Sequence, residues 1–374
     1  MAAAHEEFVV IVAGGTGTRL WPWSRKNLPK QFLKLFGNQS FLEQVYQRAQ
    51  KVVDSKNIFI VAPESYSQFI SQYLPDFPLT NFMGEPTKKG TTAAYGYTAT
   101  YIKQLNPNAI VHIIAADDYI IDINRYRRSL GLAAQLVKEK DCQVIYGVKP
   151  RDPNPGYGYV KVKLKDWRQQ GEIEAYGVES FHEKPPLETA KQYLTDKSYF
   201  WHTFGFTITV SKLLSLIQTY DPETAKVLEA IEADLKLPSR IEQVRLAEHY
   251  QKLKESNIEN QILEKELTNT YMVTLEETWS DIGTWDHIFS LKEKNSEGNV
   301  LMGDEGKIFS IGTVNSLISA GKKPIALIGV EDLIVVDTND ILLICAKEKA
   351  QDVKKMVNLL KEKKLDPQVP HHGC

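Results

Sequence analysis

Apolar positions fall along this chain in two rhythms, and the alternation between them marks out its elements. Phe8–Ala13, Asn57–Val61, Ala109–Ala115 and Gln143–Val148 are short, continuous apolar runs rich in β-branched residues. That pattern predicts strands buried on both faces. Between them, Phe41–Val53, Thr91–Gln104 and Asn124–Lys140 carry helical spacing. Strand and helix in this order predict an α/β fold built on a mostly parallel, doubly wound sheet, with ligands at the carboxyl ends of the strands. Tyr157–Leu164 and Glu172–Glu183 are strand-like on either side of a turn at Trp167–Gly171, which predicts a hairpin inserted over the site. Helical patterns return at Ser211–Tyr220, Pro222–Asp234 and Arg240–Glu255.

A polar stretch at Lys292–Asn299, containing Gly298, predicts a boundary, with one domain over 1–292 and a second over 293–374. Past it, short apolar runs punctuated by Gly, Asn and Asp predict a small all-β piece: Lys307–Gly312, Ser316–Ala320, Ile325–Val330, Leu333–Val336 and Ile341–Ile344. A closing helix is expected over Glu348–Lys364, with Val353, Met356, Val357 and Leu360 on one face.

Charge changes the picture at one place. No Asp or Glu lies between Glu7 and Glu43, while Arg19, Arg25, Lys26, Lys30 and Lys34 all fall in that interval. The first strand runs directly into Gly14, Gly15 and Gly17, whose backbone can present its N–H groups to an anion. Strand, glycine turn and unbalanced cations together predict a polyphosphate site. A glycine turn with scattered surface cations needs no ligand, but GGTGTRL followed by PKQ is a more specific arrangement. It is not a Walker loop, because Thr18 and Arg19 stand where Lys and Ser/Thr would follow. Nor is it a dinucleotide fingerprint, which would need a third Gly at Leu20 and a ribose-binding acid farther on.

Over 374 residues the net charge is −2, with 43% hydrophobic and 25% charged residues. The basic stretch is therefore local, which suits a small anion and gives no support to nucleic-acid or membrane partners. No apolar run approaches the ~20 residues of a spanning helix, and MAAAHEEF lacks the order of a signal peptide. Cys142, Cys345 and Cys374 fit no disulfide framework or zinc spacing, so two packed thiols, one exposed tail thiol and a cytoplasmic location are expected.

These residues resemble the nucleotidyltransferase family that activates sugar phosphates. AGGTGTRLWPWSR…PKQFL is similar to its mannose-1-phosphate guanylyltransferase branch, and the run VEDLIVVDTNDILLICAKEKAQDVKKMV to that branch's tail. The resemblance covers nearly the whole chain. It implies a Rossmann-like (GT-A-like) catalytic domain followed by a short left-handed β-helix, which in the family often contributes to dimerisation, so a homodimer is expected. The isomerase fused to longer relatives is expected to be absent.

The implied reaction joins GTP and mannose 1-phosphate with Mg2+. Gly14, Gly15, Thr16, Gly17 and Thr18 would bind the nucleotide, and the family assigns Arg19 and Lys30 to the triphosphate and its transition state. Mg2+ needs carboxylates. The family's P-x-D-H and W-x-D-x-G-x-W patterns give these roles to Asp117, at the end of a buried strand, and Asp281. Ala115 and Asp118 depart from the Pro and His usual there. Glu183 can accept from vicinal sugar hydroxyls, Lys184 can pair with the sugar's phosphate, and Gly158 lets backbone approach the ring, although the aromatics beside it suit a core equally well. In the base-recognition segment 84–94, Glu85 would accept from guanine, with Lys89 and Thr91 nearby. Gly90 and Ala93 replace the family's Asn and Pro, and His202 stands where the family has Asn. These departures keep two other readings open: a related enzyme with another sugar or base, and a non-catalytic sensor of nucleotide sugars.

Overall fold

The computed structural model describes residues 6–15, 17–235, 239–275, 278–363 and 365. Its chain forms two compact units, one comprising Met1–Gly14 and Leu42–Trp279, the other Gly15–Phe41 and Ser280–Cys374.

The first unit is built on strands β1 (Glu7–Val12), β2 (Ile58–Pro63), β3 (Phe82–Glu85), β4 (Ile110–Ala115), β5 (Gln143–Val148), β6 (Tyr159–Gln170), β7 (Ile173–His182), β8 (Tyr199–Thr209) and β9 (Thr270–Thr274). They form one nine-stranded sheet in the order β3-β2-β1-β4-β8-β5-β9-β7-β6. Phe8 and Val10 join the core beneath the helices Thr91–Leu105, Val210–Tyr220 and Pro222–Asp234. Val9 and Ile11 are equally buried, and strand geometry turns them to the opposite face. The helix Ile123–Lys140, started by the Asp122 carboxylate accepting from the Arg125 N–H at 2.8 Å, packs along β4, β5, β8 and β9. The sheet is covered on both faces, as a doubly wound fold requires.

Two expectations need correction. The sheet is mixed, not mostly parallel. β1 pairs in parallel with β2 and β4, β2 with β3, and β5 with β9, but β8 runs antiparallel between β4 and β5. β8 follows the helix Leu187–Thr195, and its antiparallel place between β4 and β5 is set by pairings distant in sequence that the strand–helix alternation does not show. The expected hairpin does not stand apart over a site: β6 and β7 extend the sheet, β7 pairing with β9. Its turn is also tighter than expected, because β6 continues to Gln170 and Gly171 turns the chain at φ 61°.

The second unit's β part has strands β10 (Val300–Gly303), β11 (Ile308–Ile311), β12 (Leu317–Ala320), β13 (Ile325–Ile328), β14 (Leu333–Asp337) and β15 (Leu342–Ala346). Val300 pairs with Leu317 and Leu317 with Ile334, while Ile308 pairs with Ile325, so each coil advances seventeen residues in parallel register. This is a β-helix. Val300, Leu317 and Ile334 fill its interior. The closing segment is a 3-10 stretch, Lys347–Asp352, continuing as the α-helix Val353–Glu362; Val353 and Val357 are buried but Met356 is exposed. Among the described residues no helix is long and apolar enough to cross a membrane. Cys142 is buried and Cys345 half-buried, both as free thiols, and Cys374 lies outside the described residues.

Candidate functional site

Parallel pairing in the first unit decides which residues share an edge. Val12 sits beside Ala115, and Pro63 beside Glu85, so Gly14, Glu85 and Asp117 all emerge where β1, β3 and β4 end. Glu85 is 6% exposed, and its Oε2 lies 4.0 Å from where a Cβ on Gly14 would stand. Its Oε1 is buried with no partner in good hydrogen-bond geometry, and the buried Tyr250 hydroxyl lies near the carboxyl. Burial pushes the Glu85 carboxyl up to about 7, against the pull of the Lys88 charge and the nearby Tyr250 hydroxyl. A buried, unpaired acceptor of this kind is costly unless a ligand completes it.

Lys89 Nζ donates to the Leu253 carbonyl at 2.6 Å, holding the chain just beyond the helix Ser239–Lys252. Thr91 Oγ1 accepts from the Ile258 N–H at 2.8 Å and donates to Glu259 Oε2 at 3.4 Å. Between them, Gly90 explains its own departure from the family pattern. Its φ is 85°, and an added Cβ would lie 2.1 Å from the Ser256 carbonyl oxygen, which accepts from the Thr92 N–H. Only glycine fits. Gly90→Asn, which restores the family residue, is therefore expected to destabilise the unit by about 2–4 kcal/mol by forcing left-handed backbone strain and a backbone collision together. Thermal unfolding of the variant checks this; a melting temperature equal to that of the parent would refute it.

Asp117 is half-buried. The adjacent Asp118 is buried, its Oδ1 accepting from Trp279 Nε1 at 3.0 Å and its carbonyl from Arg48 Nη2 at 3.1 Å. Asp118, where the resemblance leads one to expect His, thus anchors Trp279. Tyr157 packs edge-on against Trp201, with ring centroids 5.0 Å apart, and also against Trp279.

Of the residues expected at the sugar, the structure brings Gly158, Glu183 and His202 together. Glu183 Oε2 stands 2.8 Å from the missing Cβ of Gly158, and the His202 N–H donates to the Gly158 carbonyl at 2.8 Å. Lys184 pairs with Glu183 from an exposed position. His202 is 7% exposed and its Nε2 has no partner. Burial drives its imidazole down to about 4, with the Gly205 carbonyl opposing and the Lys184 charge adding, so at neutral pH it is uncharged. Lys184 (φ 47°) and Phe204 (φ 66°) hold conformations unusual for residues with side chains. Phe204 lies where β8 bulges out of register with β5, just beyond His202.

The cations are gathered in the second unit. Gly17 turns at φ 62°, and an added Cβ there would fall 2.3 Å from Lys30 Cβ, so the turn and Lys30 pack directly together. Lys30 is 5% exposed and its Nζ donates to the Asp281 carbonyl. Asp281 Oδ1 accepts from the Gly283 N–H and faces His287 Nδ1, each at 3.1 Å. Burial opposes ionisation of Asp281, but the His287 hydrogen bond and the charges of Lys30, His287 and Arg19 hold the carboxyl well below the usual range. The same contact raises His287: burial and Arg19 oppose its charge, and Asp281 and Asp286 outweigh them. Arg19 Nη2 lies 3.1 Å from the Cβ position of Gly283, beside Asp281 Oδ2, and Nη1 donates to Gln351 Oε1 at 3.0 Å. Ile282, the β-branched residue that follows Asp281, holds φ 41°, a strained backbone angle. Gly15 is exposed, Thr18 is half-buried and opens the short turn Thr18–Leu20, and Thr16 lies outside the described residues.

His287 and Gln351 had no motif to mark them; His287 had only its place six residues after Asp281 in the Trp-rich segment. Among the described residues no group of three or more His, Cys, Asp or Glu gathers as a metal cage. Asp281, ionised and oxygen-bearing, fits Mg2+, which takes one or two carboxylates and completes its shell with phosphate and water.

Comparison with known proteins adds a family. The Nucleotidyl transferase family model matches residues 8–298, and the MannoseP isomerase/GMP-like beta-helix domain matches residues 306–360. A mannose-1-phosphate guanylyltransferase of Klebsiella pneumoniae is 31% identical over 359 residues, covering 94% of this chain and 74% of the relative. One from Escherichia coli (strain K12) is 30% identical over 367 residues, covering 96% and 74%. The crystal structure of mannose-1-phosphate geranyltransferase from Thermus thermophilus superposes with a TM-score of 0.83 at 25% identity, covering 95% of this chain and 99% of that one.

Proposed function

Because the chain belongs to the nucleotidyl transferase family, on its mannose-1-phosphate guanylyltransferase branch, we propose that it transfers GMP from GTP to α-D-mannose 1-phosphate, giving GDP-mannose and diphosphate. The observation that carries the choice of base is Glu85, buried beside Gly14 with an unpaired acceptor oxygen. Guanine offers N1–H and a 2-amino group to such a carboxylate, and adenine has no equivalent donor pair.

A phosphate oxygen of the sugar phosphate attacks the α-phosphorus in line, the bond from that phosphorus to the bridging oxygen breaks, and diphosphate leaves. The nucleophile is already ionised, so positioning and charge neutralisation do the catalysis. Arg19 and Lys30 neutralise the charge, and the glycine turn presents N–H groups to phosphate. Glu183 accepts from sugar hydroxyls, Lys184 pairs with the sugar's phosphate, and neutral His202, one ring nitrogen of which is engaged by the Gly205 carbonyl, leaves Nε2 to accept from the sugar in place of an Asn. Asp117 and Asp281 are the carboxylates that would hold Mg2+, which when bound supplies further neutralisation of the phosphates.

A panel of four nucleoside triphosphates against several sugar 1-phosphates, scored by diphosphate release, tests the reading. GTP with mannose 1-phosphate should be the fastest pair. A faster pair would favour the related-enzyme reading to which His202 points, and no turnover with any pair would favour a sensor. Asp281→Asn should raise the Mg2+ concentration for half-maximal rate by at least ~10-fold, and an unshifted Mg2+ titration would count against ligation.

Glu85 also predicts a pH dependence. It must be ionised to accept two N–H bonds, and its carboxyl sits at about 7. Affinity for GDP-mannose, whose phosphates do not titrate in this range, should weaken about tenfold from pH 8 to pH 6. Stability runs the other way: the raised carboxyl contributes fully below its ordinary 4.5, and that contribution is lost as pH rises through about 7. Calorimetric titration with GDP-mannose at both pH values checks the first effect, and Glu85→Gln should abolish the slope.

A further inference from the structure

We propose that Gln351 is a positioning residue for Arg19, so that the closing segment of the chain completes the catalytic apparatus; this rests on the transition-state role given to Arg19 above. Gln351 lies in the 3-10 stretch Lys347–Asp352, fixed between the buried Ala350 and Val353, and its Oε1 accepts from Arg19 Nη1 at 3.0 Å. Nη2 lies 3.1 Å from where a Cβ on Gly283 would stand, a position 2.7 Å from Asp281 Oδ2. Gln351 is thus the side chain that bonds the guanidinium, and the Asp281 charge acts on it from nearby within the same unit.

The chemistry of the acceptor matters. A free arginine side chain samples many rotamers, and a catalytic group works best when its geometry is set before the reaction. A carboxylate at 351 would hold the guanidinium equally well but form an ion pair that competes with phosphate. The amide oxygen of Gln351 takes one N–H and adds no negative charge to that of Asp281 nearby. The backbone on either side of Arg19 is tied down independently. The turn Thr18–Leu20 rests on the helix Val353–Glu362, Trp285 Nε1 donates to the Trp21 carbonyl at 2.9 Å, and Arg25 is clamped by Asp340. Those ties set the path of the loop, whereas Gln351 touches the functional group itself.

The test is Gln351→Ala, with Gln351→Met as a second variant that keeps the length of the side chain and removes the acceptor. Each is assayed for kcat and KM in GTP/mannose-1-phosphate turnover, for melting temperature, and again in an Arg19→Lys background. Expected are a kcat loss of about 5- to 20-fold, KM values within twofold, a melting temperature within about 2 °C, and little further loss in the Arg19→Lys background. An unchanged kcat, a change confined to KM, or the same loss in both backgrounds would overturn the assignment. If the parent protein turns over no substrate, the functional reading fails; if the parent is active and the variants match it, only this inference fails.

Discussion

Arg19→Ala is expected to lower GTP/mannose-1-phosphate turnover by about 10³-fold, roughly 4 kcal/mol of transition-state stabilisation, while the fold persists. Among the described residues the side chain's own tie to the structure is slight, a single hydrogen bond from Nη1 to an exposed Gln351. Its charge, however, stands in the same cluster as Lys30 and Asp281, where the loop's unbalanced cations converge. In the proposed reaction, in-line attack brings a monoester dianion onto a triphosphate, so repulsion between anions is the main obstacle and a lost guanidinium is felt at the transition state. Arg19→Lys should recover part of the rate, because an ammonium restores charge but not the planar, two-pronged contact with phosphate oxygens. Steady-state kinetics with circular dichroism as the fold control checks both variants. Near-normal turnover for Arg19→Ala would remove the residue from the chemical step.

Much of the fold was legible because local signals agreed with tertiary ones. β5 and the helix Pro222–Asp234 have the bounds their patterns predicted. What escaped is instructive. β3 is four residues long with a glycine inside it, too short to show a period. β8 is long, but its bulge near Phe204 breaks the alternation by which a strand is recognised, and its antiparallel insertion follows from pairings far apart in sequence. The strands of the β-helix could be read one by one, while their seventeen-residue stacking is a long-range register that no window of sequence displays. The β-helix itself was reached through resemblance.

The site divides in the same way. The glycine turn and its cations were visible because a run without acids is a local property. Gly90 was visible only as an irregularity, and its cause, the Ser256 carbonyl, comes from a segment far along the chain. His287 and Gln351 act on Asp281 and Arg19 through folded geometry alone. Lys184, Phe204 and Ile282 hold positive φ values beside residues given sugar or metal roles, a form of strain that accumulates where function constrains backbone and that no sequence pattern reveals.

Asp340→Ala is the second large effect, and it falls on stability. Arg25 and Asp340 form a two-pronged pair, Nη1 to Oδ2 at 2.7 Å and Nη2 to Oδ1 at 2.8 Å, with side chains only 7% and 11% exposed. Arg25 Nε also donates to the Pro22 carbonyl at 2.8 Å, and Thr338 Oγ1 to Asp340 Oδ1 at 3.0 Å. Removing the carboxylate strands a buried guanidinium, which costs about 3–5 kcal/mol, far more than loss of an exposed pair. The double variant Arg25→Met/Asp340→Leu should recover most of that, since it leaves no unpaired charge in place. Denaturant unfolding, with separate probes because two units need not melt together, measures the cycle. Turnover should follow the same order, because Arg25 anchors the segment that carries Arg19. An Asp340→Ala protein with parental stability would show that the guanidinium reaches water when its partner is gone, and that the loop is held by other contacts.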